Sequence, residues 1–327
     1  MKRLHTRVPG SIPKSRLDHF LMDWLPVALG EPISRTQIRA LLFGGAVYVN
    51  RHRNKDGMSP VFSGATIEVY YDAEKVRSGP ARIQNVRFDT DRIVFEDEWL
   101  LIVDKPAGIP TQPTVDPFRT NLYGLIQRFL TERDGKPEGK ENAYVGLHHR
   151  LDRDTSGLVL FTKREDANKG VSDLFLAHRI QKTYQCMVWR APQAKVYQPG
   201  DRFKVENFLG RVNAKNENTR FGEVRSGGDY ALTQFRVIEA FRDMYWLEAQ
   251  PQTGRTHQIR VHCAEVNLPI LGDSMYFPEN LAPFIAAPRL LLHAYQLEFN
   301  HPMIDQPISV TANLPEEFMQ VLGTLRS

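Results

Sequence analysis

The first quarter of the chain carries two helical periods followed by two alternating segments. Apolar residues recur every three or four positions across 15–29 and again across 34–44, which predicts two amphipathic helices. Ser34 stands at the start of the second period, where a capping side chain is favoured. Apolar and polar residues then alternate across 46–50 and 65–71, which predicts the two strands of a hairpin. We therefore expect a compact unit of two short helices and a hairpin.

From residue 91 onward, short alternating segments predominate and indicate strands. The predicted strands are RIVFEDE, WLLIVDKP, GLVLFTK, KTYQCMVW, YALTQFRVIEAF and MYWLEAQPQ. Helical patterns intervene near 120–133, 165–178 and 256–265. Because the connections are short and the strands alternate, the pattern favours a mixed, mostly antiparallel sheet over a doubly wound parallel one. The expected fold class is α/β in the α+β sense, with a small N-terminal domain.

The length of the chain supports a division into two domains. Its 327 residues exceed the roughly 100–200 residues of a typical domain. Residues 72–90 are charged and contain a Gly-Pro pair, which is typical of a linker. We expect a basic N-terminal tail at 1–13, a small domain at 14–75, a linker at 76–90 and a large domain at 91–327.

The excess of positive charge is confined to the first 75 residues of the chain. The net charge is +4, and residues 1–75 hold 11 Lys and Arg against 7 Asp and Glu, whereas the remaining residues hold 31 of each. A basic small domain beside a neutral large one indicates a module that binds a polyanion. A solvated basic surface without a partner is the alternative.

Several classes of protein do not fit the sequence. No segment approaches the roughly 20 apolar residues that span a bilayer, and no apolar stretch follows the basic N-terminus as in a secretory signal. The two cysteines, Cys186 and Cys263, form no CxxC pair, which argues against a disulfide framework or a cysteine-built zinc site. No GxGxxG or Walker loop indicates a nucleotide cofactor. The expectation is a soluble cytoplasmic protein.

The segment GLHHRLDRDTSGLVLFTK at 146–163 concentrates polar residues directly before an apolar strand. Two carboxylates, Asp152 and Asp154, lie two positions apart and are flanked by Arg150 and Arg153. Irregular backbone ahead of a buried strand is a common place for reactive groups. The residues alone leave two alternatives open: a salt-bridged turn or a catalytic loop.

A second polar cluster, QPQTGRTHQIRVH at 250–262, follows a predicted strand and opens a predicted helix. Arg255 and Arg260 are five positions apart and project from different faces, so that one can serve the fold or a ligand backbone while the other points at a carboxylate. His257 and His262 are also five apart, which is poor spacing for two metal ligands on one helical face. Structural or RNA-contacting histidines are therefore expected, and no metal site.

Six motifs together resemble the RluA family of RNA pseudouridine synthases. They are KPAG at 105–108, HRLDRDTSGL at 149–158, KTY at 182–184, GRTHQIRVH at 254–262, PILGD at 269–273 and RLLLHA at 289–294. The related small-subunit-type family normally has Gly where His149 stands, so HRLD favours the RluA branch. The resemblance covers roughly 91–327.

The resemblance implies a role for individual residues. Asp152 is expected to be the catalytic aspartate, Tyr184 to stack on the target base, and Arg260 to pair with Asp152. Asp154 is expected to hold its loop by accepting backbone hydrogen bonds, and Lys105 to support the fold. The expected RNA contacts of the large domain are Arg150, Arg255 and His257.

The N-terminal unit resembles the alpha-L RNA-binding module that also occurs in a ribosomal small-subunit protein. The matching segments span about 14–72, with one departure: Arg-His-Arg at 51–53 replaces the usual Gly-Lys turn. The turn stays basic, but its shape is expected to differ. The expected RNA contacts of this unit are Arg16, Arg35, Arg39, Arg51 and Arg53.

The resemblance thus implies a monomeric enzyme that isomerises uridines in structured RNA without a cofactor, a metal or a nucleotide. Large-subunit ribosomal RNA is the expected substrate, and transfer RNA is the alternative. Two rival functions are a non-catalytic RNA-binding protein of ribosome assembly and a carboxylate-based nucleoside hydrolase. A non-catalytic protein would have no chemical need for Asp152, Tyr184 and Arg260 together. A nucleoside hydrolase would not explain the basic N-terminal module.

Overall fold

The structure is a computed structural model that describes residues 1–73, 86–114, 119–135, 142–213, 220–278, 285 and 287–327. Most of the predicted linker at 76–90 lies outside the described residues. The chain divides into two compact units, each built from two segments: Met1–Asp89 with Pro110–Ala143, and Thr90–Ile109 with Tyr144–Ser327. The N-terminal unit therefore takes in a segment, Pro110–Ala143, that the sequence assigns to the large domain.

The N-terminal unit contains six strands and three helices in its described residues. In chain order these are β1 Lys2–Arg7, β2 Lys14–Arg16, α1 Leu17–Leu29, α2 Arg35–Phe43, β3 Val47–Val49, β4 His52–Arg53, β5 Pro60–Phe62, β6 Thr66–Tyr71 and α3 Leu122–Arg133. Four strands form a sheet in the order β1-β6-β3-β4, and β2 pairs with β5.

Helix α2 begins where the sequence predicts it because Ser34 and Gln37 cap each other. The Ser34 hydroxyl accepts a hydrogen bond from the Gln37 backbone, and the Gln37 side chain accepts one from the Ser34 backbone. This capping box satisfies two N–H groups that the helix itself cannot. The helix then buries Ile38 and Leu41 in the core of the unit.

The predicted tail at 1–13 instead contains a strand, β1. It pairs antiparallel with β6, from Lys2 opposite Tyr71 to Arg7 opposite Thr66. Its sequence, KRLHTR, offers only Leu4 as an apolar position, so an alternating pattern cannot be recognised. The strand is ordered by backbone pairing at the edge of the sheet rather than by an apolar face.

The second unit is built on one large sheet. Its described elements are β7 Ile93–Glu96, β8 Leu100–Lys105, β9 Gly146–Leu147, β10 Ser156–Thr162, α4 Asn168–Leu176, β11 Gln181–Trp189, β12 Arg202–Asn213, β13 Arg220–Glu223, β14 Asp229–Ala240, β15 Met244–Pro251, α5 Gln258–Glu265, β16 Leu292–Asn300, β17 Pro307–Thr311 and α6 Glu316–Arg326. Short 3-10 helices cover Thr90–Arg92 and Glu165–Ala167.

The described strands of this unit follow the order β13-β12-β14-β15-β11-β16-β10-β8-β7, with β17 beside β16 and β9 beside β10. Strands β10 and β16 run parallel, through Ser156 and Gly157. The other pairings between described strands of this sheet are antiparallel. The predicted mixed, mostly antiparallel fold is confirmed.

Helix α5 packs against one face of the sheet and so fixes the second polar cluster over β11, β14 and β15. Ile259 and Cys263 on the helix join a buried apolar cluster with Phe235, Leu247 and Ala249 on the strands. Burial of these side chains is worth roughly 1.5–3 kcal/mol for each large one.

In the described ranges, the longest helices fall short of the length and apolar character needed to cross a bilayer.

Candidate active site

The loop that carries the two carboxylates is held in place by the start of β10. Every residue of Ser156–Thr162 is buried. Gly157 has a φ of 113°, and a Cβ there would lie 2.3 Å from the backbone oxygen of Ala294 on β16. A side chain is therefore excluded at Gly157 by both backbone conformation and space. The glycine of the TSGL motif permits the parallel pairing that ends the loop.

Lys105 ties the same loop to the end of β8. Its fully buried ammonium group donates hydrogen bonds to the carbonyl oxygens of Pro106, Ile109 and Arg153, at 2.9, 2.9 and 3.0 Å. Burial lowers the pKa of Lys105 to about 7, and the charge of Asp152 opposes that shift. The protonated amine has three N–H groups, one for each carbonyl, whereas the neutral amine has only two. These hydrogen bonds therefore favour the charged form of Lys105.

Asp152 lies beside two side chains of the second polar cluster. Arg260 Nη1 donates to Asp152 Oδ2 at 3.2 Å, and His257 Nε2 lies 3.7 Å from the same oxygen. Among the described residues, no side chain forms a hydrogen bond or an ion pair with Oδ1 of this carboxylate. The carboxylate is thus held through one oxygen, while about a quarter of its side-chain surface (27%) stays exposed.

Arg260 is held in turn by Asp273. Its Nε and Nη2 donate to the two oxygens of Asp273 at 2.7 and 2.8 Å, and the ring of Tyr276 lies 5.0 Å from the guanidinium carbon. Burial by itself lowers the pKa of Arg260, but the hydrogen bond and charge of Asp273 and the charge of Asp152 outweigh it, so the pKa is raised. Arg260 therefore stays a cation beside Asp152.

Asp273 is fixed by its own turn. Its Oδ1 accepts hydrogen bonds from the backbone N–H groups of Met275 and Tyr276. The preceding Gly272 has a φ of 76°, and a Cβ there would lie 1.9 Å from the backbone oxygen of Arg289. The glycine of PILGD is therefore required for the turn that presents Asp273 to Arg260.

A buried hydrogen-bond network fixes the start of α5. The Gln258 side chain donates to the Thr233 hydroxyl and accepts from Thr253 and from the backbone of Arg255. His262 bonds to the same Thr233 hydroxyl and to Asn207. These contacts of His262 lie within the fold, which is one of the two roles that the sequence leaves open for it, and they hold the segment that carries Arg260.

Tyr184 lies on β11 between Ala249 of β15 and Ala294 of β16, next to a register shift at Thr183. Burial raises the pKa of Tyr184, and the charge of Asp152 raises it further. The phenol therefore stays neutral. No hydrogen bond engages its hydroxyl within the described ranges. The ring packs against the apolar cluster under α5, and its hydroxyl is near enough to Asp152 to feel the charge of that carboxylate.

The predicted RNA contacts of this unit lie on exposed parts of the same two motifs. Arg150 is exposed and its Nη2 lies 3.5 Å from the Thr256 hydroxyl. Arg255 donates to the carbonyl of Tyr230 at 3.0 Å and lies 3.7 Å from Asp229. His257, in contrast, lies between Tyr276 and Asp152.

The predicted RNA contacts of the N-terminal unit fall into two groups. Arg16 is paired with Asp18, and Arg53 donates to the hydroxyl of Tyr48 and lies over its ring. The remaining three are exposed, and their guanidinium groups have no partner among the described residues: Arg35, Arg39 and Arg51.

One expectation about a carboxylate needs correction, and the role of a second carboxylate was missed. Asp154 pairs with the guanidinium of its neighbour Arg153 at 2.7 Å rather than with backbone N–H groups. That hydrogen bond lowers the pKa of Asp154. The role of Asp273 was not predicted, although its motif was recognised, because only the folded chain brings PILGD next to Arg260.

Residues 99–265 match the family of RNA pseudouridylate synthases. The chain belongs to this family, whose members are isomerases that act on RNA. The resemblance found in the sequence is thereby confirmed, including the RluA branch.

Two relatives have similar length. One, ribosomal large subunit pseudouridine synthase C of Vibrio vulnificus, is 30% identical over 95% of this chain and 93% of its own length. Another, ribosomal large subunit pseudouridine synthase D of Neisseria meningitidis serogroup A, is 30% identical over 99% of this chain and 82% of its own. Among solved structures, human RNA pseudouridylate synthase domain containing 4 is similar in fold, with a TM-score of 0.56 and 24% identity over 72% of this chain and 94% of that one.

Proposed function

We propose that this enzyme converts uridine to pseudouridine at defined positions of large-subunit ribosomal RNA, with Asp152 as the reacting carboxylate. One observation carries the assignment of the site: Asp152 and Arg260, 108 residues apart in the sequence, meet at 3.2 Å beside Tyr184. The names of the Vibrio and Neisseria relatives support the choice of RNA.

The reaction explains why these side chains are needed together. The bond between the ribose and N1 of the base must break, the base must rotate, and a new bond must form from the ribose to C5, which loses its hydrogen as a proton. No net oxidation or reduction occurs, so a carboxylate can serve without a redox cofactor. Arg260 supplies a cation that pairs with the Asp152 carboxylate at 3.2 Å.

Tyr184 is suited to bind the extruded base. A uridine stacked in folded RNA must be flipped out before its ring can be reached, which costs about a few kcal/mol. Stacking on an aromatic ring recovers roughly 1–3 kcal/mol per base. Because burial and, after it, the charge of Asp152 raise the pKa of Tyr184, the base would meet a neutral ring. Asp152 Oδ1 is the oxygen available to react.

Arginines outside the site would bind the RNA backbone. Arg150 and Arg255 are exposed near Asp152, and Arg150 is proposed to enter the stack from which the base has left. In the N-terminal unit, Arg35, Arg39 and Arg51 are exposed cations without described partners, which suits phosphate binding. We propose that one copy of the chain acts alone and that no metal or nucleotide is needed.

The test uses transcripts labelled with tritium at C5 of uridine, because pseudouridine formation releases that hydrogen to water. Large-subunit ribosomal RNA, small-subunit ribosomal RNA and transfer RNA are each incubated with the wild-type enzyme and with Asp152→Asn. We expect tritium release from large-subunit RNA by the wild type alone. Release only from transfer RNA would redirect the proposal to that substrate, and release of free base would contradict isomerisation.

A further inference from the structure

His257 lies at the first turn of α5 in a conformation that few residues adopt. Its φ is 57°, in the left-handed region, and its imidazole is held edge-on by the rings of Phe221 and Tyr276 at 5.8 and 5.6 Å. A residue other than glycine with positive φ persists only where its surroundings fix it. In this fixed position the Nε2 atom of the ring lies 3.7 Å from Asp152 Oδ2.

A chain of hydrogen bonds assigns the proton on the imidazole. The backbone N–H of Phe221 donates to the Tyr276 hydroxyl oxygen at 3.1 Å, and that oxygen lies 2.8 Å from His257 Nδ1. No other acceptor for the Tyr276 hydroxyl hydrogen occurs among the described residues, so this hydrogen is available to donate to Nδ1. A neutral ring then carries its proton on Nε2, the atom that lies 3.7 Å from Asp152 Oδ2.

The neutral state of the ring follows from its surroundings. Burial lowers the pKa of His257, the charges of Asp152 and Asp273 oppose that shift, and those of Arg260 and Arg150 support it. At neutral pH the imidazole therefore presents a donor without adding a second cation. A neutral donor can orient a carboxylate while leaving its negative charge balanced by Arg260 alone.

We propose that His257 is a positioning residue of the reaction, which donates its Nε2 hydrogen to Asp152 Oδ2 and thereby turns Oδ1 toward the uridine. This inference rests on the proposed function and replaces the role of RNA contact that the sequence predicts for His257. The distance of 3.7 Å exceeds that of a hydrogen bond. Catalytic hydrogen bonds commonly shorten when the reacting complex forms, and a small movement of the carboxylate is enough here.

The test compares variants of the full chain by RNA binding and by single-turnover rate at saturating RNA. His257→Asn tolerates the left-handed backbone but is too short to reach Asp152, whereas His257→Gln keeps an N–H donor of longer reach. Tyr276→Phe removes the hydroxyl that fixes the tautomer. Tyr245→Phe is the matched control, because the Tyr245 hydroxyl also accepts a backbone N–H, that of Tyr197, without a histidine partner.

We expect His257→Asn to lower the single-turnover rate about ten- to a hundredfold, the range for a lost hydrogen bond to a charged group. The dissociation constant for RNA should change less than threefold, His257→Gln should recover part of the rate, and Tyr276→Phe should slow turnover more than Tyr245→Phe. Weaker RNA binding with an unchanged rate at saturating RNA would overturn the inference and indicate that His257 contacts RNA. Equal rates for all variants would also overturn it. Failure of the proposed function is a separate result, since the wild type itself would then form no pseudouridine.

Discussion

Asp273 accepts two hydrogen bonds from Arg260, and this pairing leaves Nη1 of the guanidinium to contact Asp152. The two carboxylates differ in their surroundings. Asp273 is almost fully buried and also accepts two backbone N–H groups, whereas Asp152 keeps part of its surface exposed. Asp273 is therefore the fixed partner that orients the arginine, and Asp152 is the partner that we propose to react.

Asp152→Asn should abolish turnover while RNA binding stays within a few fold, because the amide keeps the shape but removes the charge that Arg260 balances. Asp154→Asn is the matched control: it makes the same chemical change two positions away, in a carboxylate that pairs with Arg153. The control should lose stability rather than rate per folded molecule. Single-turnover tritium release measures the rate of each of the two variants. A tenth of wild-type activity in Asp152→Asn would be enough to reject the assignment.

Asp273→Asn should destabilise the protein by about 3–5 kcal/mol, because it leaves the buried Arg260 without a full counter-charge. Denaturant unfolding of wild type and variant measures the change. Asp166→Asn is the control, since it breaks the exposed pair of Arg164 and Asp166 and should leave the midpoint nearly unchanged. Equal midpoints for wild type and Asp273→Asn would contradict the role of Asp273 as the partner that holds Arg260.

The sequence could predict what depends on local pattern. Helix α2 was predictable because its signals are local: Ser34 at the N-cap and the apolar period that follows it. Asp152, Tyr184 and Arg260 could be selected because each lies in a recognisable motif. Their roles remain predictions.

What the sequence could not provide depends on contacts between distant segments. The parallel pairing of β10 with β16 joins Ser156 to His293 across 137 positions, and no local pattern encodes it. Strand β1 escaped prediction because its pairing uses backbone groups that every residue has. The contact of His257 with Asp152 could not be separated from RNA binding, since a polar residue in a motif fits either role.

Buried neutral histidines should make the stability fall as the pH drops below 6.5. Burial lowers the pKa of His262 to about 4, so between pH 6.5 and 4 the unfolded chain binds a proton that the folded chain does not. The contribution of His262 to the free energy of unfolding is fully present above pH 6.5 and is lost as the pH falls toward 4. At pH 5 the loss is about 2 kcal/mol.

Unfolding of wild type and His262→Gln at pH 7, 6 and 5 measures this effect. The variant should be less stable at pH 7, where it loses its hydrogen bonds to Thr233 and Asn207. Its stability should fall less steeply toward pH 5, because glutamine does not titrate. Parallel curves for the two proteins would show that His262 contributes nothing to the pH dependence.

Activity should survive dialysis against EDTA, because the proposed isomerisation uses the carboxylate of Asp152 and involves no net redox step. The substrate for this measurement is a short pre-folded hairpin, whose structure does not depend on magnesium. Loss of activity that added zinc or magnesium restores on this hairpin would contradict the cofactor-free proposal.

Replacing Arg35 and Arg39 by Ala should weaken RNA binding and make it less dependent on salt. Both cations are exposed on α2, one turn apart, and neither has a partner among the described residues. If each contacts one phosphate, the double variant should lose about 1.4–1.8 from the slope of log K against log salt, at about 0.7–0.9 per contact. Turnover at saturating RNA should change little, because Asp152 and Arg260 are untouched.

Arg3→Ala is the control for that measurement. Arg3 is exposed in the same unit, but Glu68 lies 2.7 Å away and already balances its charge. Since a phosphate would have to compete with that carboxylate, removal of Arg3 should leave the salt slope close to that of the wild type. Binding is measured at several salt concentrations on one long RNA and one short hairpin. If the double variant binds the long RNA with the wild-type slope, Arg35 and Arg39 do not contact phosphates, and the basic charge of the N-terminal unit is a solvated surface.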